Sequence, residues 1–232
     1  TLGRVTPLAE VPACNRYRMV QFGVTIFLSA FLLFQVQPLI GKYILPWFGG
    51  GPAVWTTCLL FFQVFLLLGY AYAHLGSSRL APGTLAAFHL VLLAASLLLL
   101  PIAPSSDLLE PGTGGAPTRR ILALLVLTVG PAYFLLSATG PLIQHWFTRS
   151  FPGRSPYRLY ALSNAGSLIA LLSYPFLVEP LLALENQVAV WSWTYLAFAI
   201  CTGWSALGAG LWRRPDAHRA ADDASTEPSR EG

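Results

Sequence analysis

The sequence predicts an all-α polytopic membrane protein with six transmembrane helices. Three observations predict it. Six stretches, 20–41, 53–73, 84–100, 121–143, 159–178 and 188–212, contain no Asp, Glu, Lys or Arg. The composition is 55% hydrophobic and only 10% charged. Period-two alternation, the mark of a membrane barrel strand, is absent from all six stretches. At a rise of about 1.5 Å per residue, twenty helical residues cover roughly the 30 Å of a bilayer's hydrocarbon core. Backbone amides in lipid must bond within their own segment, so runs this long and apolar are helices.

The segments follow in order. Residues 1–18 hold three arginines, two prolines and no apolar periodicity, and are expected to be a disordered extension. Met19 is the only methionine and stands directly before the first run, so a native start there is expected. That run is too long for the core of a cleaved signal peptide and lacks a small-x-small site at its end. The membrane domain is expected over 19–212. Its third and fourth runs are joined by 101–120 (PIAPSSDLLEPGTGGAPTRR), whose Pro, Gly, Ser and Thr predict an irregular extracytoplasmic loop. The charged, Ala/Ser/Pro-rich stretch 213–232 is expected to be a disordered cytoplasmic tail.

The net charge of +4 sorts by side. Placing the N-terminus, the 2–3 and 4–5 loops and the tail together collects Arg4, Arg16, Arg18, Arg79, Arg149, Arg154, Arg158, Arg213, Arg214, Arg219 and Arg230, eleven of fourteen basic residues. Lys42, Arg119 and Arg120 remain on the other side with Asp107, Glu110, Glu179 and Glu185. By the positive-inside rule both termini are expected to be cytoplasmic. The surplus is a topology signal, and nucleic acid is not an expected partner.

A repeat divides the six runs into two threes. FLLFQVQPLI (31–40) and FLLSATGPLI (134–143) match at Phe, Leu, Leu, then Pro, Leu, Ile, at a shift of 103. Phe48 aligns with Phe151 and Gly50 with Gly153; after a one-residue insertion Pro52 aligns with Pro156 and Tyr70 with Tyr174. Three spans per unit make the second enter the bilayer from the opposite side, so units of about 20–100 and 121–212 form an inverted repeat, the pattern within each half of major-facilitator carriers. Leucine coincidences in apolar runs carry little weight, and shared helix-loop-helix punctuation is the bland alternative.

Pro38 and Pro141 sit near the end of the first helix of each unit and are expected to kink it or free a carbonyl. Gln35, Gln37 and Lys42 crowd that level in one unit, Gln144 and His145 in the other, while Gln63 and Asn164 lie in the second helices. Such amides should face other helices and not acyl chains, either lining a polar path or serving as interhelical glue. Glue is the commoner role. SNAGS (163–167) supplies small residues that let helices approach. Ser163 has no His or acid beside it and no GxSxG turn. Trp47, Trp55, Trp146, Tyr157, Trp191 and Trp212 stand near span ends, where such rings anchor at headgroup level. Cys14, Cys58 and Cys201 have no metal spacing, and His74, His89 and His145 form no HxxxH or HExxH pair, so no metal or cofactor is expected. No span carries a carboxylate, which disfavours an autonomous carrier of protons or polyamines.

FLSAFLLFQVQPLIGKYILPWFGGGPAVWTTCLLFFQVFLLLGYAYAHL (27–75) resembles the N-terminal membrane region of the bacterial fused transporter-like/spermidine-synthase-like membrane proteins. PYRLYALSNAGSLIALLSYPFLVEP (156–180) is similar to the second hallmark block of that region, and the resemblance covers about 19–212. It implies a six-helix, major-facilitator-like module followed in full-length members by more helices and a Rossmann-type aminopropyltransferase-like domain. No position here matches a catalytic residue of that domain, so no enzyme activity is expected of this chain. Two readings follow. One is a small-solute transport module, completed by a homodimer or by further helices. The other is a structural anchor for a cytoplasmic synthase-like partner.

Overall fold

The structure, a computed structural model of the 232-residue chain, describes residues 13–103 and 117–209. The expectations for 1–12, for most of the 101–120 loop and for the 213–232 tail lie outside those residues. The described part is helical, without a strand: α1 (Ala13–Phe48), α2 (Pro52–Arg79), α3 (Pro82–Leu97), α4 (Pro117–Thr128), α5 (Gly130–Ser150), α6 (Tyr157–Ser173) and α7 (Leu184–Gly208). α6 runs on through a π-turn, Tyr174–Val178, and one turn at Glu179–Leu181.

Three helical segments are long and apolar enough to cross a membrane: Arg16–Phe48, Pro52–Arg79 and Tyr157–Leu181. The pair α4–α5, bent by 63° at Val129, makes a fourth if it counts as one span. This is fewer than the six expected, for two physical reasons. α3 has 16 residues, about 24 Å of helix, short of the roughly 30 Å core. α7 has the length, but Glu185, Asn186 and Gln187 open it, and Ser192, Thr194, Thr202 and Ser205 dilute the rest.

The helix boundaries also correct the expected ones. α1 begins at Ala13, so six residues assigned to the extension are helical and Met19 lies within the helix. They are held by packing: the Tyr17 ring meets Trp204 edge-on at 6.5 Å, and the Arg18 guanidinium lies 5.6 Å over Phe151. Pro38 and Pro141 sit inside unbroken helices. A sharp bend falls just before Pro131, which occupies the first turn of α5, where a missing N–H costs nothing.

The loops after α1 and α5 close in the same way. Gly49 and Gly153 both adopt φ 79, a left-handed conformation that favours glycine. They are 104 residues apart, one more than the spacing of Phe48 and Phe151.

Packing interleaves the two halves of the chain. α1 packs chiefly on α6, α7 and α5, and α2 on α5 and α4, while consecutive α1 and α2 barely touch. Two crossings are tight. A Cβ at Gly166 of α6 would stand 2.7 Å from the Phe27 carbonyl oxygen and 3.4 Å from Ala30 Cβ on α1. A Cβ at Gly69 of α2 would stand 2.9 Å from the Phe134 carbonyl oxygen and 2.9 Å from Ser137 Cβ on α5. Small residues let these backbones approach. The interior is filled by large rings, with Trp146, Tyr133, Tyr195, Phe22 and Phe198 all fully buried.

Candidate functional site

Besides the buried pairs Thr25–Ser205 and Ser96–Tyr195, polar side chains inside the bundle form three groups. The first joins α1, α6 and α7. Gln35 is buried, and its Nε2 donates to Ser173 Oγ at 3.0 Å and to the Ala170 carbonyl at 3.4 Å. The π-turn, built around Pro175 with its missing N–H, widens the helix just after Ser173. Tyr174 then donates its hydroxyl to Gln187 Oε1 at 3.0 Å, and Gln187 Nε2 donates to the Leu182 carbonyl at 2.8 Å. Trp191 Nε1 donates to the Leu32 carbonyl at 3.1 Å. Between these groups is a pocket of about 60 Å³ lined by Gln35, Tyr174, Gln187 and Trp191.

The second group joins α1 to α5. Gln37 Nε2 donates to the Tyr133 hydroxyl at 3.2 Å, and Ser29 Oγ to the Leu136 carbonyl at 2.8 Å. The third joins α2, α3 and α5. His89 Nε2 lies 3.0 Å from Thr139 Oγ1, which spends its own proton on the Leu135 carbonyl at 2.6 Å. His89 must therefore donate from Nε2, leaving Nδ1 as a bare acceptor. That atom, the Tyr72 hydroxyl and Trp146 Nε1 are buried with no hydrogen-bond partner. The Tyr72 and Trp146 rings flank the imidazole at 5.9 and 6.5 Å.

The residues singled out in the sequence do not converge on one site. Gln35 and Gln37 face other helices as expected. Lys42 Nζ pairs with Glu179 Oε1 at 3.2 Å, tying the end of α1 to the end of α6. Gln144 and His145 are half-buried, and their side chains make no hydrogen bond among the described residues. Gln63 and Asn164 correct the expectation: both are exposed, on the outward sides of α2 and α6. The reason is geometric. α2 buries Cys58, Phe62 and Gly69 against its neighbours, and α6 buries Gly166 and Ala170, and Gln63 and Asn164 point away from those faces.

Gln187, Tyr174 and Trp191 carry the best-connected cluster, yet sequence reasoning passed over Gln187. It stands one residue outside the charge-free stretch 188–212. The one available signal was its spacing of four from Trp191, which puts both on one helical face. Among the described residues no group of three His, Cys, Asp or Glu is placed to hold a metal ion. No family model, no curated protein and no solved structure matches this chain.

Proposed function

We propose that the chain is a six-span module of two inverted three-helix units, forming one half of a small-solute carrier in a bacterial inner membrane. The observation that carries the inversion is a pair of swapped contacts. In the repeat register Ala30 corresponds to Tyr133, and Gly166, 104 residues on, to Phe62. Gly166 packs on Ala30, and the Phe62 and Tyr133 rings lie 5.0 Å apart. Likewise Ser173 bonds Gln35, while its counterpart Gly69 packs on Ser137, one residue before the counterpart of Gln35. The first helix of each unit thus meets the second helix of the other at matching heights, as a two-fold in the membrane plane requires.

The half-carrier reading rests on the outward amides. Gln63 and Asn164 in contact with lipid would be costly, so a second set of helices, here a second copy, covers them. The solute path then runs between modules, past the α1 and α5 faces that hold Pro38, Lys42, Pro141, Gln144 and His145. Lys42, the one full cation among these groups, is neutralised by Glu179 at 3.2 Å, which favours a neutral solute. Arginines crowding one end favour cytoplasmic termini.

The competing reading, an anchor for a synthase-like partner, draws on the family resemblance and on Gln35 and Gln37 being spent on interhelical bonds. Uptake separates the two. Vesicles reconstituted with the chain and a labelled panel of sugars, neutral amino acids and carboxylates should accumulate at least one solute, with loss in Gln63→Leu and Asn164→Leu at equal protein content. Uptake equal to protein-free vesicles across the panel would leave the anchor.

A further inference from the structure

We infer that a groove at the arginine-rich end of the molecule binds an anionic phospholipid; this rests on the membrane reading above. The groove, of about 1450 Å³, lies between the first turns of α1 and α6. Its floor is apolar: Val20, Val24, Phe27 and Leu162 line it, and the two helices meet beneath at Gly23, where a Cβ would stand 3.1 Å from Leu162. The groove also holds three arginines from three segments, Arg16 of α1, Arg154 of the α5–α6 loop and Arg158 of α6, together with Ser155.

Charge makes the occupant an anion. The only carboxylates among the described residues are Glu179 and Glu185. Glu179 lies 21 residues beyond Arg158 along the same helix, about 30 Å away. Arg16 and Arg158 are exposed with no ion-pair partner among the described residues, and Arg154 reaches only Met19 Sδ, at 3.1 Å. The floor makes the anion a lipid. Val20 and Val24 are 58% and 43% exposed, an apolar strip that a free phosphate would leave bare and an acyl chain would cover. The acidic stretch 213–232 has no Val, Leu, Ile, Phe or Trp to fill it. Basic pockets between helices at the cytoplasmic side are the usual seats of anionic headgroups.

The full chain, purified in detergent and exchanged into mixed micelles with equal phosphatidylglycerol and phosphatidylcholine, should retain the anionic lipid preferentially by about tenfold, read by mass spectrometry of bound lipid. The triple variant Arg16→Gln/Arg154→Gln/Arg158→Gln should bring the ratio to about one while unfolding at the wild-type temperature in phosphatidylcholine. Arg149→Gln, exposed at the same end but outside the groove, should keep the preference. A wild-type ratio near one, an unchanged ratio in the triple variant, or displacement of the lipid by equimolar glycerol 3-phosphate would each overturn the site. A chain that stays in solution without detergent would overturn the membrane reading itself, and is seen before any lipid is added.

Discussion

Gly69 and Gly166 are the residues on which the crossings turn. At either one a methyl group meets a backbone carbonyl oxygen inside 3.0 Å, and a carbonyl in a helix cannot swing away. Gly69→Ala and Gly166→Ala should each destabilise the fold by about 1–3 kcal/mol, read by thermal unfolding in detergent. Gly140, also helical but with nothing within 4 Å of its Cβ position, should tolerate Ala and gain up to about 1 kcal/mol. Gln187→Leu should cost about 1–3 kcal/mol, because it strands the buried Tyr174 hydroxyl. The sequence made Gln35 and Gln37 legible as interhelical donors, since amides in a charge-free run need partners. It could not say that Gln63 and Asn164 face outward. A helix apolar on every side has no stripe to show which way it points, so a lone polar residue carries no direction.

At the scale of elements, the apolar runs located every described helix, but their ends followed packing and not charge. α1 extends back to Ala13 because Tyr17 and Arg18 find aromatic partners. α5 extends to Ser150, past the expected end at 143, with Trp146 and Phe147 buried in its last turns. Pro38 and Pro141 lie in continuous helix, whereas the chain breaks before Pro131 and widens at Pro175, and local sequence does not distinguish these cases. The Lys42–Glu179 pair links α1 to the end of α6, but both side chains are more than a third exposed. Glu179→Gln should therefore shift stability by no more than about 1 kcal/mol, and less as salt is raised. A larger loss would mean that this end of the molecule is covered by something other than water.

For the whole molecule, the pattern Phe-Leu-Leu…Pro-Leu-Ile, read twice in the sequence, supplies the register on which the proposed inverted repeat rests. The six charge-free runs predict six crossings, whereas the folded helices supply three or four by length and hydropathy, because α3 is short and α7 polar. The proposed inversion can be tested independently of helix length. Gly51 and Ser155 occupy equivalent positions, each just before the proline that opens the second helix of its unit. In a background lacking Cys14, Cys58 and Cys201, Gly51→Cys and Ser155→Cys would be probed with a membrane-impermeant maleimide on intact cells and on inverted vesicles. Labelling of Gly51→Cys only from outside and of Ser155→Cys only from inside is the predicted result. Labelling of both from the same side would contradict the inverted arrangement.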